Sequence, residues 1–143
     1  MGVLDGKVVI VTGSSRGIGK GIAKTCAIEG AVVVVVARTE EEGGRLPGTI
    51  HQTVQEIQDD GGVAAAVRCD VTDEEQVEAL AKEVLDTHGR IDVVVNNAGV
   101  QVNVGLLDLQ TRHWDLTMRV NLRGPFLCCK YLVPPMIEQR SGS

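Results

Sequence analysis

The stretch Thr12-Gly13-Ser14-Ser15-Arg16-Gly17-Ile18-Gly19 lies directly behind the apolar run Val8-Val9-Ile10-Val11. An apolar strand that enters a glycine-rich turn and leaves it as a helix has few ways to fold. Gly13 can take backbone angles denied to other residues. Gly17 has no side chain to hold an anion off the main chain, and Gly19 lets the helix lie close on the strand. The free N–H groups of the first helical turn, with the helix dipole behind them, then face into the turn, an arrangement that holds phosphate. The spacing is Gly-x-x-x-Gly-x-Gly rather than Gly-x-Gly-x-x-Gly, so the cluster taken alone leaves an ordinary tight turn as the alternative.

The rest of the chain alternates in the same way. Strands are predicted over 7–11, 31–37, 63–69 and 91–95. Helices are predicted from the glycine turn to Gly30, over 50–60, from a Thr72/Glu75 capping box to His88-Gly89, and over 111–138 as one long helix. Ile18, Ile22, Ala23, Cys26 and Ala27 form the apolar stripe of the first helix, and a polar loop spans 38–48. The five valines Val32 to Val36 mark a central strand covered on both faces. The βαβα rhythm with right-handed crossovers gives an α/β, doubly wound parallel sheet. One domain over 1–143 accounts for all of it.

Composition narrows the function classes. Aromatics are 2%, so the core is aliphatic, and the net charge of -5 supplies no overall basic field toward nucleic acid or anionic lipid. No apolar run approaches the roughly 20 residues of a membrane span. The N-terminus Met1-Gly2-Val3-Leu4-Asp5-Gly6-Lys7 has no signal-peptide pattern, which points to the cytoplasm. Cys26, Cys69, Cys128 and Cys129 form no Cys-x-x-Cys pair and read as reduced core thiols; no metal site is expected.

Three further motifs follow the glycine turn in order: Cys69-Asp70-Val71 after the third strand, Asn96-Asn97-Ala98-Gly99 after the fourth, and Asn121 in the long helix. With these the chain resembles the short-chain dehydrogenase/reductase family over its whole length. The resemblance implies a Rossmann-type sheet ordered 3-2-1-4, truncated here before strand 5. It implies NAD(P)(H)-dependent hydride transfer between nicotinamide and a carbonyl or secondary alcohol. A weaker resemblance, carried by Leu46-Pro47-Gly48-Thr49-Ile50, is to hydroxysteroid dehydrogenase-like proteins and related bacterial reductases.

The candidate cofactor-binding residues are Gly13, Ser15, Arg16, Gly17, Ile18, Gly19, Arg38, Thr39, Asp70, Val71, Asn97, Ala98 and Gly99. The glycine turn takes the pyrophosphate. Asp70 and the Val71 N–H suit the adenine, although Asp70 also reads as a strand-end cap. Asn96 is expected to brace the ends of the first and fourth strands, with Asn97 in local turn chemistry. Ala98 and Gly99 keep the floor low beneath the ribose and nicotinamide. At the end of the second strand, Ala37-Arg38-Thr39 lacks the acidic residue that takes the ribose hydroxyls of NAD. With Arg16 beside it, Arg38 favours the 2′-phosphate of NADP. Glu40, Glu41 and Glu42 form a solvated run or weaken that preference. Pro125 removes the N–H that would bond the Asn121 carbonyl and pushes that carbonyl aside. By resemblance, the freed carbonyl holds a water of the proton relay, which makes Asn121 the candidate catalytic residue; a kink for packing alone is the alternative.

The chain departs from the family pattern at its catalytic pair, Tyr-x-x-x-Lys. The one tyrosine, Tyr131, is followed four residues later by Pro135. A tyrosine near pKa 10 is no base at neutral pH without such a lysine. The expectation is the cofactor-binding half of an enzyme, inactive alone, with its small-molecule substrate site in the other half. A short, non-catalytic dinucleotide- or partner-binding protein is the alternative, and the reading frame beyond Ser143 separates the two. The long helix is apolar on more than one face, and the fourth strand forms a sheet edge, so homo-oligomerisation through the helix is expected.

Overall fold

A computed structural model describes residues 2–44 and 46–143. Met1 of the N-terminal segment and Arg45 of the loop expected over 38–48 lie outside the described residues. Four parallel strands, β1 (Val8–Thr12), β2 (Val32–Ala37), β3 (Val63–Arg68) and β4 (Val93–Val95), form one sheet in the order β3-β2-β1-β4. Val8 to Thr12 pair in register with Val32 to Val36, and Val9 to Val11 with Val93 to Val95.

Alternation along the strands explains the unbroken valine runs. Val9, Val11, Val33 and Val35 face one layer, built from α1 (Gly17–Ile28) and α2 (Ile50–Asp59) with Ala23, Ala27, Ile50 and Ile57. Val8, Ile10, Val34 and Val36 face the other. There they meet Val77, Leu80 and Val84 of α3 (Glu74–His88) together with Leu127, Cys128, Leu132 and Met136. Both faces of β1 and β2 are dry, so neither strand has a polar side. Helices α1 and α2 cover one face, and α3 with the segment that contributes Leu127, Cys128, Leu132 and Met136 covers the other. The order reverses between β1 and β4, which opens a crevice at their carboxyl ends.

Several expected details differ. Thr72 and Glu75 do not form a capping box: the Asp73 carboxylate caps α3 by accepting the Glu75 and Gln76 N–H groups, and the Thr72 hydroxyl donates to Asp70 at 2.8 Å. The capping box lies instead on α2, where Thr49 and Gln52 exchange backbone–side-chain bonds of 3.1 Å each. The helix expected over 111–138 is three: α4 (Thr111–Met118), α5 (Gly124–Leu132) and α6 (Pro134–Gln139). A π-helical segment, Arg119–Arg123, joins the first two, and Pro134 starts the third. Ile18 belongs to no apolar stripe. It is 79% exposed, on the open side of the first turn of α1, while Gly19 on the other side of that turn is buried. Cys129 is exposed, unlike the buried Cys69 and Cys128.

The outer edge of β4 is not bare. Val94 N–H donates to the Ser143 carbonyl at 3.0 Å and Ser143 N–H donates to the Asp92 carbonyl at 2.9 Å. Among the described residues no helix is long and apolar enough to cross a membrane.

Candidate dinucleotide-binding site

The crevice over the carboxyl ends of the strands is a cleft of about 350 Å³. Its lining brings together Gly13, Ser15, Arg16, Arg38, Thr39, Asp70, Val71, Asn97, Ala98 and Gly99, residues drawn from four separate strand ends. Gly17, Ile18 and Gly19 do not line it. Gly17 and Ile18 form the exposed first turn of α1 at its side, and Gly19 is buried beneath.

The glycines divide the work of the turn. Gly13 has φ +67, and a Cβ there would lie 2.8 Å from the Ala98 Cα. A Cβ on Gly19 would come within 2.4 Å of the Gly13 carbonyl oxygen, so helix and turn touch backbone to backbone. Gly17 has φ +57 with open space above it. Arg16, in extended conformation, is the N-cap of α1, and no described side chain caps the helix. The N–H groups of its first turn are therefore left for an external acceptor.

Thr12 and Asn97 weld the turn to the end of β4. The Thr12 hydroxyl donates to the Val95 carbonyl at 3.2 Å and accepts the Asn97 and Ala98 N–H groups at 3.1 and 3.0 Å. Asn97 Nδ2 donates to the Thr12 and Gly13 carbonyls at 3.0 and 3.1 Å. The expected division between the two asparagines is thus reversed: Asn97 is the brace, whereas Asn96 Nδ2, among the described residues, reaches only Cys129 Sγ, at 3.9 Å. Successive side chains at a strand end point to opposite sides, and the phase of β4 puts Asn97 toward β1. Ser14, equally unforeseen, ties the turn to β2: its hydroxyl donates to the Val11 carbonyl at 2.6 Å and accepts the Val36 N–H at 3.0 Å.

At the far end of the cleft, Arg16 Nη2 donates to the Thr39 hydroxyl at 3.0 Å. Arg38 Nη1 lies 3.9 Å from Asp70 Oδ2, and its side chain is otherwise largely exposed. Asp70 Oδ1 accepts the Thr72 N–H and hydroxyl at 2.9 and 2.8 Å. Burial pushes the Asp70 carboxyl up, but the two Thr72 bonds and the Arg38 and Arg119 guanidinium groups outweigh it and hold the pKa below the usual range. Asp70 is at once the loop brace and a cleft residue with one oxygen free of hydrogen bonds to Thr72. Ala37, Leu46, Cys69, Val100 and Val120 also line the cleft and carry no polar signal by which sequence reasoning would pick them out. Burial pushes the Cys69 thiol up to about 12, so it is inert there.

Asn121 sits in the π-helical segment and lines a neighbouring cleft of about 560 Å³ that shares Gly99 and Val100 with the first. Its side chain pairs with a single backbone unit: Val100 N–H donates to Asn121 Oδ1, and Asn121 Nδ2 donates to the Val100 carbonyl, both at 2.8 Å. The helix thereby fixes the loop that forms the floor of both clefts. Tyr131 lines neither of them. Its hydroxyl donates to Glu74 Oε1 at 2.8 Å, which holds the phenol pKa above its ordinary value.

The family described as short chain dehydrogenase matches residues 7–143. The chain belongs to that family. It is 39% identical over 141 residues to hydroxysteroid dehydrogenase-like protein 2 of Mus musculus, which covers 99% of this chain and 29% of that protein. Among solved structures, a protein from Burkholderia xenovorans assigned to the short-chain dehydrogenases/reductases superposes with a TM-score of 0.91 at 35% identity, covering 99% of this chain and 53% of that one. A metagenomic short-chain oxidoreductase in complex with NADP superposes with a TM-score of 0.86 at 38% identity, covering 97% of this chain and 60% of that one. The chain thus spans about a third of the length of the curated relatives it matches and a little over half of the solved ones. The family carries an oxidoreductase fold, and the sheet order 3-2-1-4 read from the sequence is the one observed.

Proposed function

We propose that this chain is the cofactor-binding part of an NADP(H)-dependent oxidoreductase that interconverts carbonyls and secondary alcohols. The observation that carries the reading is the paired arginines at one end of the cleft: Arg16 and Arg38 line it together, and the β2 end they flank offers no carboxylate to ribose hydroxyls. The donor set fits the cofactor. Uncapped N–H groups at α1 and the open space over Gly17 suit a pyrophosphate, and Asp70 suits an exocyclic amine. The low floor at Ala98 and Gly99 admits a flat ring. When bound, the nicotinamide supplies or accepts hydride.

This chain's residues hold and orient. Thr12 and Asn97 set the floor, Asn121 pins Val100 beside it, and the guanidinium groups neutralise a 2′-phosphate. Family proton transfer needs a Tyr-x-x-x-Lys pair. Tyr131 is engaged with Glu74 and followed at the fourth position by Pro135, so the 143-residue chain alone is expected to turn over no alcohol or ketone.

Trp114, Leu122 and Phe126, each more than half exposed on α4, the π segment and α5, support self-association through this face; sedimentation is the check. Calorimetry of the purified chain tests the cofactor reading. Tighter NADP than NAD binding, reversed by Arg38→Asp, supports it, and equal or tighter NAD binding contradicts it.

A further inference from the structure

Asp70 is the carboxylate that lines the cleft beside Arg38, and the three glutamates that follow Thr39 in sequence do not line it. Glu42 accepts a hydrogen bond from Gln52 Nε2 on α2. Glu40 is held from two sides. Its Oε2 lies 3.6 Å from Arg68 Nε, and its Oε1 lies 3.7 Å from His51 Nε2. Arg68 Nε also donates to the Arg38 carbonyl at 3.3 Å. Arg68 stands beside Ala37 in the β2–β3 register, at the end of β3 and directly before Cys69, Asp70 and Val71, which line the cleft, although Arg68 itself does not. A single guanidinium therefore ties together the backbone of Arg38 and the carboxylate of Glu40, on the side of the loop away from the crevice.

The chemistry of that carboxylate makes its position matter. A free acidic side chain at the end of the second strand accepts the ribose hydroxyls of NAD and repels a 2′-phosphate. Glu40 follows Arg38 and Thr39 directly, so its carboxylate is the first acidic group after the end of β2. Arg68 approaches Glu40 with a guanidinium that also holds the Arg38 carbonyl, so it is the member of the restraint that links Glu40 to the β2 end.

We infer that Arg68 is a positioning residue for cofactor choice: it holds the Glu40 carboxylate out of the cleft and so keeps a second negative charge, beside that of Asp70, away from the 2′-phosphate pocket. The inference deepens the NADP reading above and rests on it. Arg68 touches no cofactor in this account and acts only through Glu40.

The test is calorimetry of NADP and NAD binding to the full chain in four forms: the original sequence, Arg68→Gln, Glu40→Gln and the double variant. Arg68 and Glu40 are both surface side chains, and melting curves confirm that each variant folds. The expected result is a roughly threefold fall in the NADP-to-NAD affinity ratio for Arg68→Gln, the size an exposed ion pair supplies. Adding Glu40→Gln restores the ratio, and Glu40→Gln alone leaves it at or above the original. An unchanged ratio in Arg68→Gln overturns the inference. So does a lowered ratio that the second substitution fails to restore, because Arg68 then meets the phosphate itself. An original chain that binds neither dinucleotide overturns the parent reading and the inference with it, a result distinct from a chain that binds both but ignores Arg68.

Discussion

Replacing Asp92 by Ala tests how the amino end of the sheet is held. The Asp92 side chain is 2% exposed, and its carboxylate accepts the Val8 N–H at 2.9 Å and a bidentate Arg90 guanidinium at 2.7 and 2.6 Å, with Lys7 Nζ at 3.5 Å. Truncation orphans the buried Val8 donor, which costs about 1–3 kcal/mol, and removes the charge-assisted bonds. Arg90 and Lys7 remain solvated, so their share is discounted and the loss lies near the lower end of the 3–5 kcal/mol for a broken buried pair. About 3 kcal/mol is expected, a fall in Tm of roughly 10 °C for a domain of this size. Asp92→Asn keeps an acceptor for Val8 and loses the charge, so it should cost less than half as much.

The Arg90 bonds, ahead of the opposing effect of burial, hold the Asp92 pKa below its ordinary 3.8. A depressed native pKa gives stability that is full above the unfolded value and lost as pH falls through the native one. The gap between the original chain and Asp92→Asn should therefore narrow below about pH 4. Thermal melts followed by circular dichroism at pH 7 and pH 3 measure both effects. An alanine variant within 1 kcal/mol of the original at pH 7, or a gap that does not narrow in acid, refutes the reasoning.

Gly19→Ala puts a Cβ 2.3 Å from Asn97 Nδ2 and 2.4 Å from the Gly13 carbonyl oxygen. It should destabilise by about 1–3 kcal/mol, as overpacking does, and weaken NADP binding in the same sample by calorimetry, whereas Gly21→Ala, exposed inside α1 with open space around it, should stabilise by up to about 1 kcal/mol and leave binding unchanged. Thiol labelling at pH 8 should modify exposed Cys129 first and leave Cys69 and Cys128 untouched in the folded chain, since burial raises them to about 12 and 11; mass spectrometry of tryptic peptides gives the order.

Much of this was legible because the sheet is buried on both sides. An uninterrupted run such as Val32 to Val36 has one structural use, and the glycine turn behind Val8 to Val11 fixes which strand ends meet the ligand. Phase was not legible. Asn96 and Asn97 are the same residue type, and a three-residue strand gives no alternation to say which points at β1. Nor was the choice of cap between Thr72 and Asp73, because both side chains can cap and only the fold shows that Thr72 is spent on Asp70. Pro125 did announce a disturbed helix at Asn121, but a proline does not say whether the ladder kinks or widens into a π turn. The Glu40–Arg68 contact joins a loop residue after β2 to the last residue of β3 and has no local pattern at all.

Titration of the 15N-labelled chain with NADP, followed through its amide resonances, tests the central claim most directly. The account predicts shifts concentrated at Gly13, Gly17, Ile18, Gly19, Arg38, Val71, Ala98 and Gly99, the residues at and beside the cleft. An unchanged spectrum at saturating NADP, or shifts confined to the outer face of α4 and α5, would contradict it.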